Sequence, residues 1–508
     1  MINKEIIFKI IKSKRFLDII LPIFCIALIA FLSYLFIKGN YFIFTVLTSV
    51  LVIGAFILSQ FWSSIKDVSF RKFLFWSTII SAFAGPAFFT IQLGSYHLFP
   101  FRVFLLSLWF VFILWFLLKG GKLNISHIKT KEYLFFLLFW FFGAFLSLGW
   151  AQDKVAAIRN IIFLFTGGSL IFFSVYYLKK LKELKVFYYL WIFVLIILIP
   201  IGFWEIFTGN HLEISGLYQT DYPVLKFVPT TTFHNPNDFA TFLALTFPFL
   251  FCFLRHNRKI LKRIFVASLM FCCFYFLFLT GSRANYLAVI FQFLFLFLFI
   301  LNLKTKVKWI LSIALIVLAL VIIFPDPFFE ITGEFSIRIS SLYRDIGIEH
   351  TSVGIRTNLI KNSLFCFFNS FGFGVGAGNV EHCIENYGPY WTGGITNVHN
   401  WWFEILANYG IFVFFGYMLF YFGLIWSLYK YYKKIKRVSI ETKNNNKRIK
   451  TEKMICEALL VSLVGFFMAS IGSSSVMALA PQWILLAFAL AFLNYYRTKS
   501  FGTEKDNL

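Results

Sequence analysis

The chain has 508 residues, 59% of them hydrophobic and 14% charged, and a formal net charge of +24; its mean hydropathy is +0.78. A soluble protein of this length cannot hide so much apolar surface, so lipid is the expected solvent for most of it. The positive balance is that of cytoplasmic loops in a membrane protein, because no nucleic-acid motif accompanies it.

The N-terminus, "MINKEIIFKIIKSKRFLDIILPIFCIALIAFLSYLF", is basic and then apolar. Its apolar run is longer than a signal-peptide core and no small-residue cleavage site follows, so a retained first span is expected. At roughly 20 apolar residues per crossing, spans are predicted near 16–37, 41–62, 73–93, 98–118, 133–150, 159–178, 187–207, 238–254, 262–280, 284–303, 308–324, 402–428, 454–470 and 482–496. The predicted fold is all-α and polytopic. The span near 73–93, with its "AGPA", is the weakest of the set.

The loops divide by charge. With the N-terminus inside, the inner segments and their flanks hold about 37 of the 47 Lys and Arg. Alternate segments are basic ("SSIKDVSFRK", "KKLKELK", "RHNRKILKR", "LKTKVK", "KYYKKIKR"), which is the positive-inside pattern repeated loop after loop. Both termini are then cytoplasmic. Three regions follow: helices and short loops over 1–324, one long extracytoplasmic loop over 325–401, and C-terminal spans with a basic cytoplasmic loop over 402–508. No internal repeat marks an inverted-repeat transporter.

The candidate residues lie in the outer segments. "TTTFHNPNDFA" (230–240) supplies His234, Asn235 and Asn237. Asp238 there is a helix cap or a sugar-hydroxyl ligand. In "LTGSRANYLAV", Ser282 is a predicted N-cap and Arg283 opens a span. A helix N-terminus with an arginine makes an anion site, and the planar guanidinium suits a diphosphate; an interfacial arginine snorkelling to headgroups is the other reading. Arg356, in "TSVGIRTNLIKNSLFCFF", precedes a predicted helix. "GFGVGAGN" (372–379), with Gly376 and Gly378, lacks the G-K-[ST] of a phosphate loop and reads as a tight turn or a substrate-binding turn.

His399 in "TNVHNWWFEILANYG", flanked by Asn397 and Asn400, is either a hydrogen-bonded surface group or a general base suited to neutral pH. Trp401 and Trp402 stand where interfacial aromatics belong. The seven cysteines show no C-x-x-C spacing. Cys366 and Cys383 share the long loop, as a disulfide or as two packed thiols. No metal-ligand motif is present, and no metal or cofactor is expected.

The ordered set "SLGWAQD" (147–153), "TTTFHNPNDFATFLALTFPF" (230–249), "FLTGSRANYLAV" (278–289), "GIRTNLIKNSLF…FGFGVGAGN" (354–379) and "NVHNWWFEILANYGIFVFFGYMLF" (397–420) resembles the O-antigen ligase and O-antigen polymerase superfamily. The resemblance covers roughly residues 130–430 and implies about 12–14 transmembrane helices. It implies a glycosyltransferase whose donor is an undecaprenyl-diphosphate-linked glycan and whose acceptor is a glycan or lipid-linked glycan. The site would lie at the outer face of the bacterial cytoplasmic membrane, in contact with membrane lipid, with a chain-length regulator and a flippase as partners. Carried over, Arg283 and Arg356 would hold the diphosphate and His399 would activate the acceptor hydroxyl. Ser282, His234, Asn235, Asn237, Asn397, Asn400, Gly376 and Gly378 are the candidate substrate-binding residues. The "VHNWWFEILANYG" form is most similar to polymerase-type members of Gram-positive bacteria, teichuronic acid biosynthesis proteins among them. A ligase acting on a wall or lipid acceptor is the alternative. A lipid-linked oligosaccharide flippase is the rival from another class; it should show central charges and two related halves. A non-catalytic scaffold is a third reading.

Overall fold

The computed structural model describes residues 68–93, 96–118, 125–323, 325–344, 348, 350–441, 446–473 and 477–505. The spans expected at 16–37 and 41–62 lie outside the described residues. The chain divides into two units, one of residues 1–73 and 111–119, the other of residues 74–110 and 120–508. In the first, the Arg71 guanidinium stands 4.3 Å from the centroid of the Trp115 ring, a cation–π contact. The site lies wholly in the second.

Helices dominate the described residues. They are α1 (Val68–Ala84), α2 (Pro100–Leu118), α3 (Lys131–Leu146), α4 (Lys154–Tyr177), α5 (Leu181–Thr208), α6 (Pro236–His256), α7 (Ile260–Thr280) and α8 (Arg283–Phe295). Then come α9 (Leu303–Ile323), α10 (Pro325–Arg344), α11 (Ser352–Asn369), α12 (Val380–Tyr387), α13 (Trp401–Glu441), α14 (Lys447–Ala469) and α15 (Ala480–Lys505). Eight of these, α2 to α8 and α13, are long and apolar enough to cross a membrane. The protein is a polytopic all-α membrane protein.

Some expectations change. The helix expected over 73–93 stops at Ala84. Gly85 takes a left-handed φ of 54° and Pro86 cannot continue the ladder. Ile91–Leu93 and Tyr96–Leu98 then pair as two short antiparallel strands. The span expected over 402–428 runs on to Glu441, so part of the predicted basic loop is helical. The described residues of the long loop carry α10, α11 and α12, the second being the helix expected around Arg356. Trp401 and Trp402 are buried within the protein. Trp401 packs on Trp140 at 6.0 Å and Trp402 on Tyr421 at 5.4 Å. Helix propagation from the Asn400 cap turns both rings inward.

The core is built around α6, in which every residue from Asp238 to Phe253 is buried. Its sequence, "DFATFLALTFPFLFCF", is apolar on every face, as a helix surrounded by other helices must be. Its few polar groups are satisfied. Thr246 Oγ1 donates to the Phe242 carbonyl and accepts from Trp191 Nε1 at 2.7 Å. Gln292 of α8 donates to the Ala244 carbonyl at 2.9 Å.

Helix α13 is broken at Gly410 (φ 76°, ψ −175°), and the glycine-rich stretch 372–376 fills the break. Val375 N–H donates to the Ala407 carbonyl at 2.8 Å, Gly376 N–H to Asn408 at 3.0 Å, and Ile411 N–H to Gly372 at 3.0 Å. A Cβ on Gly374 would stand 2.5 Å from the Gly410 nitrogen. Two backbones approach this closely only where side chains are absent. The stretch thus replaces the hydrogen bonds that the break removes.

Candidate active site

The starts of α6, α8 and α13 meet at one end of the bundle. Asn235 caps α6, accepting from the Asn237 N–H at 2.8 Å. Ser282 is the N-cap residue of α8, as the sequence implies, yet its hydroxyl bonds no first-turn N–H. It accepts instead from the Asn285 amide at 3.0 Å. Asn285 also donates to the Asn237 carbonyl and to Thr241 Oγ1, both at 3.3 Å. The first turns of α6 and α8 are therefore sewn together beneath Arg283.

The turn after α14 completes the bracket. A Cβ on Gly472 would stand 2.7 Å from the Cβ of Ala284, so only glycine lets this turn cross the start of α8. Ser473 and Thr241 share a hydrogen bond of 3.1 Å, and the Ser470 carbonyl accepts from the Trp401 N–H at 3.1 Å. The Ser473 backbone also hydrogen-bonds the His399 ring.

His399 has a left-handed φ of 52°, which a non-glycine residue adopts only when its surroundings hold it there. They do. Asn397 Oδ1 accepts from the His399 N–H at 3.3 Å, while Asn397 Nδ2 donates to Glu381 Oε1 at 3.2 Å. Asn400 Oδ1 caps α13, accepting from the Trp402 and Phe403 N–H groups at 3.1 and 3.4 Å. The imidazole Nδ1 is buried and has no partner among the described residues.

Charge ties the three principal candidates together. Burial, then the Arg356 guanidinium, push the His399 pKa from 6.5 down to about 4, against an opposing pull from the Ser473 hydrogen bond. The ring is neutral at pH 7. Arg356, in the second turn of α11, is itself held below the ordinary guanidinium value by burial and then by Arg283. Residues scattered over 283–399 thus share one electrostatic neighbourhood.

His399 also lines a cleft of about 950 Å³. Apolar lining comes from Phe83, Phe163 and Phe233, and polar lining from Arg102, Glu213, His234, Asn235, Asp238 and Asn397. His234 Nδ1 is 2.8 Å from the Ile214 carbonyl. The loop that carries His234 is anchored by Glu205, a buried carboxylate near the end of α5. Glu205 accepts from the Thr230 and Thr231 N–H groups, each at 2.8 Å, and stands 3.1 Å from His211 Nδ1.

Gly376 and Gly378 lie elsewhere, against protein. A Cβ at either would stand within 2.8 or 2.9 Å of Ala151 Cβ or of the Ala156 carbonyl oxygen. Packing on the start of α4 accounts for them. Cys366 and Cys383 form a disulfide that joins α11 to α12. Among the described residues, no group of three or more His, Cys, Asp or Glu is placed to hold a metal ion.

The sequence reading missed Glu205, Glu381 and the 470–473 turn. The turn had one signal, the small-residue run "SIGSSS" after a span; the two glutamates had none, because their partners are remote in the chain.

In this polytopic helical bundle a neutral histidine lies in the lining of a cleft and under the charge of Arg356, which in turn feels Arg283, while neither arginine lines that cleft. Residues 268–418, which include Arg283, Arg356 and His399, match the O-antigen ligase family. Over 461 residues the chain is 32% identical to the teichuronic acid biosynthesis protein TuaE of Bacillus subtilis (strain 168), covering 88% of this chain and 89% of that one. The chain belongs to the O-antigen ligase family and is a multi-pass membrane enzyme of polysaccharide biosynthesis, as its motifs implied.

Proposed function

We propose that the protein is a polymerase that joins polyprenyl-diphosphate-linked repeat units at the outer face of the cytoplasmic membrane. The mutual electrostatic reach of Arg283, Arg356 and His399, the last in the lining of the cleft, carries this reading. In the proposed step the acceptor sugar hydroxyl attacks the anomeric carbon of the donor glycan. The new C–O bond forms as the bond to the diphosphate breaks, and the hydroxyl proton passes to the His399 imidazole. The lipid diphosphate leaves with the bonding electrons.

The leaving diphosphate gains negative charge, which Arg283, Arg356 and the α8 N-terminus would stabilise from fixed positions. That supply of positive charge lets the step proceed without a metal. Donor binding would also prepare the base. The diphosphate opposes the field of Arg356 at His399 and so raises the basicity of the imidazole when the acceptor arrives. The outward placement is supported by the basic inner loops and by the Cys366–Cys383 disulfide, a bond that persists in oxidising compartments. The name of the B. subtilis relative speaks of teichuronic acid biosynthesis, which suits either step, and the family description speaks of a ligase.

The test is a gel of lipid-linked glycan from cells with and without the gene. A ladder of repeats that collapses to one unit on deletion is expected. A ladder that persists on the carrier but no longer reaches its final acceptor would make the enzyme a ligase. No change in either pool would sink both.

A further inference from the structure

A second cleft, of about 420 Å³, lies between the "WAQD" turn before α4, the C-terminal half of α11, and α12. No charged side chain lines it. Its floor is the Cys366–Cys383 disulfide, which ties its two helical walls together across a Cα–Cα distance of 6.2 Å. Asn379 and Ser370 spend their polar atoms inside the protein. Asn379 bonds both the N–H and the carbonyl of Asp153, and Ser370 Oγ accepts from the Gly374 N–H. The Trp150 indole is fixed by an N–H bond to the Gly374 carbonyl at 2.9 Å and remains 50% exposed. Gln152, Asn369 and Tyr387 are exposed lining residues.

We propose that this cleft is a secondary glycan-binding subsite that holds an already polymerised stretch of the product. The inference rests on the polymerase reading for the origin of its ligand. Amide and phenol groups both donate to and accept from sugar hydroxyls, and a fixed, exposed indole offers a flat apolar face for a pyranose ring. A charge-free lining does not suit a phosphate headgroup, which the arginine pair at the other site does. Asn369 lies thirteen residues beyond Arg356 on α11, about 20 Å along the axis and on the opposite face. A glycan held at the arginines must span at least that distance to occupy this cleft as well, which a chain of several repeats passing over the loop does.

The test uses the purified full-length protein in nanodiscs, with lipid-free fragments of one and of several repeat units cut from the host's own polymer. Wild type should bind the longer fragments more tightly than the single unit. The triple variant Gln152→Ala, Asn369→Ala, Tyr387→Ala should lose about tenfold in affinity for the longer fragments, keep single-unit transfer, and make shorter polymer. Trp150→Phe, which keeps a ring but loses the Gly374 bond, is the second probe and should weaken the same binding. Unchanged long-fragment affinity in the triple variant would overturn the proposal, as would displacement of the fragment by raising the phosphatidylglycerol content of the disc. If wild type transfers nothing yet the binding difference holds, the polymerase reading fails and the subsite stands. If transfer is normal and the binding difference is absent, the subsite alone fails.

Discussion

The two ends of α6 handle positive charge in opposite ways. At its C-terminal end, Arg255 Nη1 and His256 Nε2 each stand 2.7 Å from Glu457 Oε2 of α14. Nearby, Arg448 and Lys499 reach Glu452 at 3.2 and 3.1 Å. At its N-terminal end, Arg283 bears on Arg356, like charge upon like, and Arg356 helps to hold His399 neutral. Matched charges hold helices together, at the cost of burying ions that fail badly if one partner is lost. Two guanidinium groups within each other's field raise the local positive potential, which the proposed reaction would use to meet an anion.

The largest expected effect breaks the second end. Arg283→Ala or Arg356→Ala should each lower transfer by about 10²–10³-fold, the scale of losing one preorganised charge-stabilising group. Each removes one side of the Arg283–Arg356 repulsion, so transfer should fall far more than the melting temperature. Turnover of lipid-linked donor in proteoliposomes, read beside a thermal scan, checks both halves. Glu457→Ala should do the reverse. Stranding Arg255 and His256 should cost about 3–5 kcal/mol of stability, while transfer per folded molecule stays near wild type. A Glu457→Ala protein that melts normally would dissolve the comparison.

A pH series sharpens it. His399 loses its acceptor role as pH falls through about 4 in the free enzyme, so the acid limb of kcat/KM should lie there. With donor bound, the diphosphate favours the imidazolium, and the acid limb of kcat should lie at higher pH. Arg356→Gln removes a positive neighbour and should raise the His399 pKa, as read by its ring-proton NMR titration. The linkage has the matching sign. Between pH 6.5 and about 4 the unfolded chain binds a proton at this position that the folded chain does not. The fold therefore loses stability as pH falls through that window. The loss should be smaller in His399→Gln.

The same contrast explains what was legible in sequence. Apolar run length is a local signal, and it announced most of the described helices. The pattern "SR…R…VHN" singled out Arg283, Arg356 and His399, which stand within one another's electrostatic reach. Three kinds of feature escaped. Gly410 looked like any glycine in a span, because its break is repaired by carbonyl and N–H groups from 372–376, about forty residues earlier. Trp401 and Trp402 are buried by partners that residue type does not name, Trp140, Tyr417 and Tyr421. Glu205, Glu381 and Ser473 act through partners far off in the chain. Hydrogen bonds of that kind leave no periodicity to read.

The smallest expected effect tests whether His399 is merely present or is held. Its left-handed backbone costs about 1–3 kcal/mol wherever a non-glycine residue adopts it. The Asn397 side chain offsets part of that by accepting the His399 N–H and leaning on Glu381. Asn397→Ala removes both bonds but touches neither arginine, so donor binding should persist while the imidazole strays from its aim. The expected result is a fall in kcat of about tenfold, the worth of one or two net hydrogen bonds, with the donor KM unchanged. Asn397→Asp keeps an acceptor for the His399 N–H but sets a second carboxylate against Glu381, and should recover part of the rate only at a pH low enough to protonate one of the two. If Asn397 instead binds donor directly, as its place in the cleft lining allows, KM rises and kcat holds. That split separates a residue that aims the base from one that grips the sugar.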